Sequence, residues 1–578
     1  MTFQGKGKRL AVLFLAAATA IGMGVKAKAA ESTSYPDSTT KGSITITKYQ
    51  DTTASDWDTS NTAQTKPTGK TPLKDVEFTI KKVGTVSQET DTNGNVQLYY
   101  TVEDSVKNSL SLTDTRVGST ELDEKLKTAY QSDKNIAATI VSNGTAKKTG
   151  TDGIAAFTEL EQGLYLVAET DAPATITSKS VPFFVSIPSI VNSENGNTSW
   201  ETDIYAYPKN TVGTPSVDKK ITAVNGTAEN KKKTTASIGD KITFTVPMTV
   251  IVPADGLKML AVKDIMGKGL TFDADSVNIY PMNGETRGTA LKKETDYTID
   301  TKTGSNNVVF DFQSSYLKKL TAGSTIKYEV EYKCTLNDNA ILGTTGNENT
   351  VSFYYSSKIE NQPQTPGGNK PVTPEGNTPP TDPDNPDTPI PSTPSDGNPP
   401  KTVVYTYGVD ITKTGKNSSK LKDVEFTVSD ENGNKINLEK RNGYYVTDTE
   451  SNANTIISDE NGKISIRGLK PGTYKIQETK TNQGYVLLKD AITVIITQTS
   501  EESGEATAMV DGKNVTMTED NLNTGSKTAF VAMTVVNQKG FDLPKTGAAG
   551  TAIFAFIGII FVLVAGAILL FRGKKVEK

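Results

Sequence analysis

From about residue 43 to residue 537 the chain is a succession of short runs in which apolar and polar side chains alternate. Residues 43–48, 76–80, 241–246, 325–332, 409–413 and 532–537 are rich in Val, Ile, Thr and aromatic residues, and Gly, Asn and Asp punctuate the stretches between them. Alternation with a period of two marks a strand with one buried face, and these residue types favour a pleated surface. Many short strands between turns predict an all-β protein of tandem, immunoglobulin-like β-sandwich domains. Residues 120–132 interrupt the pattern with a helical stretch, placed as a small insert in the first domain.

Three segments depart from the alternation. Residues 10–25 are an apolar stretch behind the basic Lys6, Lys8 and Arg9, and Ala27-Lys28-Ala29 follows as a small-x-small site. This reads as a secretory signal, with the mature chain starting near Ala30 or Glu31. At the other end, residues 548–571 form an uncharged run, closed by Arg572, Lys574, Lys575 and Lys578. As a helix at ~1.5 Å per residue the run is long enough for a transmembrane span, with the basic tail on the cytoplasmic side. Directly before it stands Leu543-Pro544-Lys545-Thr546-Gly547. Motif, apolar run and basic end, in that order, closely resemble a Gram-positive cell-wall sorting signal. The resemblance implies that a sortase cleaves between Thr546 and Gly547 and holds the chain as a thioester through Thr546, so that the membrane anchor is transient. The third segment, residues 361–400, contains 13 of the chain's 26 prolines; it cannot bury a core and reads as an extended linker.

These breaks divide the chain into a signal (1–29), a first domain (30–211), a middle domain (212–360), the proline-rich linker (361–400), a last domain (401–540) and the sorting region (541–578). A repeat ties the first domain to the last. Leu73-Lys74-Asp75-Val76-Glu77-Phe78-Thr79 recurs as Leu421-Lys422-Asp423-Val424-Glu425-Phe426-Thr427. A second block, Leu160, Gly163, Tyr165, Val167, Glu169 and Thr170, recurs at the same spacing as Leu469, Gly472, Tyr474, Ile476, Glu478 and Thr479. The two domains are expected to share a fold, with the middle domain a diverged relative.

Parity along the strands carries the candidate chemistry. Ile44, Ile46 and Lys48 share one face, as do Val409, Ile411 and Lys413, so both lysines point inward. Glu169 and Glu478 share parity with apolar neighbours. Asn210 follows Ile204, Ala206 and Pro208 on one face, and Asn537 follows Val531, Met533 and Val535. Each of these domains thus offers an inward Lys, Glu and Asn. Burying a free charge is costly, which leaves two outcomes. The Lys and Glu form a buried ion pair, or burial drives both to their neutral forms. A neutral amine is a nucleophile, and a protonated carboxyl polarises the Asn amide. Attack then expels ammonia and leaves a Lys to Asn isopeptide bond, a staple that needs no oxidant.

These residues resemble the B-type repeats of collagen-binding surface proteins, found in the major pilins of Gram-positive bacteria, with the Tyr-x-x-x-Glu-Thr blocks as the family's E-box. The resemblance implies one bond between Lys48 and Asn210 assisted by Glu169, and one between Lys413 and Asn537 assisted by Glu478. The middle domain has no E-box. Val217, Lys219 and Ile221 share parity, as do Asn349, Val351, Phe353 and Tyr355. Val262-Lys263-Asp264-Ile265, followed by Gly267-Lys268-Gly269-Leu270, resembles the segment that supplies an aspartate in pilin middle domains. The expected bond there joins Lys219 to Asn349 with Asp264 as the acid, and Asp240 as a rival. Finally, Trp200-x3-Ile204-x-Ala206-Tyr207-Pro208-Lys209 resembles the pilin motif of sortase-polymerised shaft subunits, with Ile204 and Ala206 in place of its valines. Lys209 falls on the face opposite Asn210 and would be the outward nucleophile.

Composition narrows the alternatives. There is no histidine and one cysteine, Cys334. Histidine-dependent catalytic schemes, thiolate metal clusters and intrachain disulfides are excluded. A net charge of −4 does not suggest a nucleic-acid protein. Asp459-x-Asn461-Gly462 and Asp91-x-Asn93-Gly94 are similar to calcium loops but lack the remaining ligands, and read as hairpin turns. No cofactor, metal or enzymatic turnover is expected. The resemblance implies a structural pilus subunit joined head to tail through Thr546 and Lys209. Its implied partners are a pilus sortase, identical subunits, tip and base minor pilins, and peptidoglycan, at a secreted, wall-attached location. The competing reading is a wall-anchored monomeric adhesin, or a minor or basal pilin that binds host matrix.

Overall fold

Strand β1 (Gly42–Thr47) opens the first domain with Ile44 and Ile46 wholly inside. The structure, a computed structural model, describes residues 34–51, 67–90, 96–173, 175–192, 198–213, 215–301, 306–356, 399–448, 450–519, 526–540 and 549–573. The expected signal, nearly all of the proline-rich stretch, the motif at 543–547 and the turn at 91–94 lie outside these residues. Long strand β2 (Glu77–Thr90) carries the first repeat block. Helix α1 (Ser119–Ser132) lies where the sequence placed it. Two shorter helices, Asp104–Leu110 and Ile136–Ile140, accompany it. Their Val106, Leu110, Leu122, Leu126 and Ala137 close over Val83, Tyr100, Leu164 and Leu166 as a second small core. The short helices were not foreseen, because one or two turns give too few periodic positions to stand out.

The E-box strand, β3 (Gly163–Asp171), pairs antiparallel with β2 and sets Glu169 opposite Phe78. Strands β4 (Ile176–Ser178), β5 (Asp203–Ala206) and β6 (Lys209–Val212) finish the domain. β5 runs parallel beside β1, with Ile46 opposite Ala206. β6 runs parallel beside the short strand Tyr49–Asp51, with Asn210 opposite Gln50. The two ends of the domain are therefore neighbours, and Lys48 and Asn210 meet although 161 positions separate them.

In the middle domain β7 (Lys241–Ile251), β8 (Met259–Met266), β9 (Thr325–Leu336) and β10 (Asn347–Ser356) form the body of two facing sheets. β7 and β9 pair along their whole length; β8 pairs with β10, Met266 opposite Asn349. Phe244, Val246, Val262, Val330, Tyr332 and Val351 fill the space between.

The expected end of this domain at residue 360 is corrected by β11 (Lys401–Tyr405). This strand pairs antiparallel with β10, Asn349 opposite Thr402, and parallel with the strand Lys233–Thr235. Val404 packs into the middle core, whereas Val403 and Tyr405 pack into the last one. The strands that precede and follow the proline-rich stretch in the chain, β10 and β11, are thus neighbours in one sheet. A strand buried on both faces has no polar alternation to assign it to one core, so local pattern places it in the wrong domain.

Thr406 alone separates β11 from β12 (Tyr407–Gly415), the first strand of the last domain. Here β13 (Gly472–Lys480) is the E-box strand, and β14 (Phe530–Asn537) runs parallel beside β12 with Gly415 opposite Asn537. The middle and last domains are joined by backbone bonds from Ile238 N to Gly468 O (2.9 Å) and Thr344 N to Lys527 O (3.0 Å), and Gly343 N bonds Thr406 O (2.8 Å) between them. Gly468 has φ 77°, and a Cβ there would collide with Ile238 Cγ1, so this contact needs glycine twice over.

Helix α2 (Ala549–Gly573) ends the described chain. Among the described residues no helix is long and apolar enough to cross a membrane, so the transmembrane expectation is not supported by them.

Candidate functional site

The inward parity of β1 delivers Lys48 into the first core, where its side chain is wholly buried. Its Nζ donates to Glu169 Oε2 at 2.8 Å and lies 5.5 Å from the Phe78 ring centroid. Asn210 Nδ2 donates to Glu169 Oε1 at 2.5 Å, while Asn210 Oδ1 has no partner. Ser180 adds its N–H (3.1 Å) and its hydroxyl (2.7 Å) to Glu169 Oε2. Burial pushes the Lys48 ammonium down to about 8, against the opposing pull of Glu169. The lysine's main chain is clamped as well. Lys48 N donates to Gly153 O (2.8 Å), and Lys48 O accepts from Leu73 N (2.9 Å). Gly153 has φ 75°, and a Cβ on it would lie 2.6 Å from Lys48 O.

The last domain repeats this cradle. Lys413 N donates to Gly462 O at 2.6 Å and Leu421 N to Lys413 O at 3.1 Å. Gly462 has φ 70°, and a Cβ on it would collide with Lys413 O. Lys413 is wholly buried, its Nζ bonded to Asn537 Oδ1 and 3.4 Å from Glu478 Oε1. Asn537 Nδ2 donates to both oxygens of Glu478, at 2.9 and 3.1 Å, and to Thr481 Oγ1 at 2.7 Å. Leu488 N donates to Glu478 Oε2 at 2.8 Å. Burial again lowers the lysine's pKa, with Glu478 opposing.

The middle domain assembles the same residue types differently. Lys219 falls between the strands Ser216–Val217 and Lys220–Val224, yet its side chain is wholly buried. Nζ bonds Asp264 Oδ2 and the Tyr332 hydroxyl. The Tyr332 O–H donates to Asp264 Oδ2 at 2.6 Å and accepts from Asn349 Nδ2 at 2.9 Å. Burial lowers the Lys219 pKa and raises that of Asp264, which moves the pair toward its neutral forms. Asp240 accepts from Asn225 Nδ2 and Ser237 N, both at 2.7 Å; it serves a turn and is not bonded to Lys219.

All nine expected Lys, acid and Asn positions therefore meet in three buried clusters. Each sets an amine and a carboxamide around one acid, with Tyr332 as a further bridge in the middle. Sequence reading missed Tyr332, Ser180, Thr481 and the two clamping glycines. Tyr332 shares the inward face of β9 with Tyr328, Val330 and Cys334, so parity marked it as core but not as chemistry.

The pilin-motif residues cross three short strands. Trp200 is buried, edge-on to Tyr35 with centroids 4.8 Å apart. Tyr207 stands 6.4 Å from Tyr49. On β6, Asn210 is buried and Lys209 half-buried. The Asp459 to Gly462 segment is a tight turn, with Asp459 Oδ1 accepting from Asn461 N (2.9 Å) and Lys463 N (2.7 Å), but the strands it joins, Thr455–Ile457 and Lys463–Leu469, lie in different sheets, so the hairpin expected from sequence is corrected.

Comparison with known proteins matches residues 39–211 to the Gram-positive pilin subunit D1, N-terminal domain. Residues 408–512 match a prealbumin-like fold domain, and residues 535–578 an LPXTG cell wall anchor motif. Fimbrial subunit type 2 of Actinomyces naeslundii is 25% identical over 76% of this chain and 74% of its own. Fimbrial subunit type 1 of Actinomyces viscosus is 25% identical over 85% and 88%. The full-length RrgB pilus protein of Streptococcus pneumoniae aligns with a TM-score of 0.49 at 17% identity, covering 88% of this chain and 100% of its own. With a pilin N-terminal domain, a prealbumin-like domain and a wall anchor in sequence, and fimbrial subunits related along most of its length, the chain belongs to the Gram-positive major pilins assembled by sortases, as a backbone subunit of a surface pilus attached to the cell wall.

Proposed function

We propose that this subunit is stapled within by three isopeptide bonds and joined to its neighbours by a fourth. Lys48 bonds Asn210 with Glu169 as the acid, Lys219 bonds Asn349 with Asp264, and Lys413 bonds Asn537 with Glu478. In each, the neutral amine attacks the Asn Cγ, the acid hands the proton it receives to the departing nitrogen, and ammonia leaves. The observation that supports this is the recurrence, three times in one chain, of a fully buried lysine whose acid also holds, directly or through one hydroxyl, an asparagine. Such an arrangement is costly as an ion pair alone. The wall-anchor match and the strand that carries Lys209 support the intersubunit bond. A pilus sortase cleaves after Thr546 of one subunit, and Lys209 of the next attacks the thioester. Two different surfaces joined in this way build an open fibre rather than a closed ring. Minor pilins at tip and base, attachment of the finished polymer to peptidoglycan, and surface adhesion complete the reading.

The test is an immunoblot of boiled cell-wall extracts from wild type and Lys209→Ala. A high-mass ladder that collapses to monomer in the variant supports the assignment. A ladder that persists places the acceptor on another lysine, and a lone monomer in wild type favours an anchored adhesin.

A further inference from the structure

The acid of the middle domain is not hydrogen-bonded to the asparagine it is meant to serve. Glu169 and Glu478 bond their asparagines directly, at 2.5 and 2.9 Å. Asp264 is one methylene shorter. Its Oδ2 is shared by Lys219 and Tyr332, its Oδ1 has no partner, and the Asn349 Nδ2 is instead held by the Tyr332 oxygen. We propose that the Tyr332 hydroxyl is a catalytic group of the middle domain, relaying a proton from Asp264 to the leaving nitrogen of Asn349. The inference rests on the internal-bond reading above and adds a residue to it.

The geometry supports each transfer. Tyr332 is fixed from three sides: its ring stacks 5.6 Å from Phe244, packs edge-on 5.6 Å from Phe272, and tilts 5.7 Å from Phe310. The hydroxyl therefore cannot swing away, and it has one proton to give and two lone pairs to receive. It gives the proton to Asp264 and receives from Lys219 and Asn349, so its hydrogen-bonding capacity is filled by the reacting groups alone.

Atoms and protons balance through the step. The neutral Lys219 Nζ forms a bond to Asn349 Cγ, and the carbonyl becomes a tetrahedral centre. Once Cγ is tetrahedral, Asn349 Nδ2 is an amine with a lone pair, and the Tyr332 O–H turns from Asp264 to give it the proton. The Asp264 carboxyl, with its proton on Oδ2, then reprotonates the Tyr332 oxygen, and the nucleophile's surplus proton passes to the vacated Oδ2. The bond from Cγ to Nδ2 then breaks and ammonia departs. Asp264 and Tyr332 end as they began, protonated, and no oxidant or co-reactant is needed. A phenol beside a buried carboxyl is a suitable relay, since neither group gains from ionising in a dry core.

The experiment is intact-mass measurement of the full secreted chain, with peptide mapping for the cross-link between Lys219 and Asn349, in wild type and Tyr332→Phe. The other two clusters in the same molecule report whether the chain has folded. The expected result is a wild type short of three ammonia molecules and a variant short of two, with the middle cross-link absent or formed at least tenfold more slowly. Full and equally fast bonding in Tyr332→Phe overturns the relay. Absence of the middle cross-link from wild type overturns the bond itself, a different result. Should Tyr332→Phe disrupt the middle domain, replacing Tyr332 by a fluorinated tyrosine keeps the shape and makes the hydroxyl more acidic. A changed rate of cross-link formation supports the relay, and an unchanged rate overturns it.

Discussion

In the first domain the carboxyl grips the amine: Lys48 Nζ is 2.8 Å from Glu169, with Ser180 donating twice to the same oxygen. In the last domain Lys413 Nζ stands 3.4 Å from Glu478 and bonds Asn537 instead, while Glu478 spends both oxygens on the asparagine amide. Yet the main-chain cradle is the same. The repeated Leu-Lys-Asp-Val-Glu-Phe-Thr block sets Phe78 opposite Glu169 and Phe426 opposite Glu478. Asp75 and Asp423 both turn through positive φ, at 62° and 58°. Thr149 Oγ1 accepts from Val76 N at 3.0 Å, as Ser458 Oγ does from Val424 N. Identical sequence therefore fixes where the lysine enters the core. In both domains the carboxyl lies closer to the asparagine amide (2.5 and 2.9 Å) than to the amine (2.8 and 3.4 Å); what differs is the surroundings, with Ser180 bonded to the acid in one domain and Thr481 bonded to the asparagine in the other.

The largest test of this comparison removes the acids. Glu169→Ala and Glu478→Ala each leave a buried lysine without its carboxyl and without a staple. The expected loss is about 3–5 kcal/mol per domain, as for breaking a buried pair, and greater in the first domain, where the contact is closer. Domain-resolved denaturant unfolding measures it; equal losses would make the difference in distance irrelevant to stability.

A smaller effect uses pH. Lys48 in the folded, unbonded domain loses its proton near 8, against an ordinary 10.5. Between those values the unfolded chain holds more protons, so stability rises with pH. An Asn210→Ala chain, which cannot form the staple, should gain about 2 kcal/mol in its first domain between pH 8 and about 9.5. The wild type, with Lys48 converted to an amide, should lack that gain. An identical slope in both chains would mean that Lys48 is unbonded in the wild type.

The smallest effect tests the shared cradle. Thr149→Ala and Ser458→Ala each strip a hydroxyl that accepts from one buried backbone amide and donates to the Leu73 or Leu421 carbonyl. Losses of about 1–2 kcal/mol are expected, alike in the two domains. A twofold disparity would show that the cradles are not equivalent.

Strand parity carried much of this in advance. Lys48, Glu169 and Asn210 could be aligned from the sequence because each lies on a strand, or just beyond one, whose apolar neighbours declare the inward face. Lys219 was harder, because the chain breaks between two short strands beside it, and its burial owes more to Val217 and Ile221 on either side. Tyr332 was invisible as chemistry, since an inward tyrosine in an alternating strand is ordinary core until its hydroxyl is located. Gly153 and Gly462 lie in turns, where sequence cannot tell a glycine needed for φ from one needed for a close approach. β11 was misassigned because strand pairing across some fifty residues depends on a register that local pattern does not encode.

That pairing has a mechanical meaning. In a fibre stapled as proposed, tension entering at Lys209 would run to Lys219, cross to Asn349, and continue to Lys413, Asn537 and Thr546. Between Asn349 and Lys413 the short route is through the hydrogen bonds that set Asn349 opposite Thr402. At rest that seam would bear the pull, so the staples on either side would guard their own domains and leave the joint between β10 and β11 as the place where load is carried without a covalent cross-link.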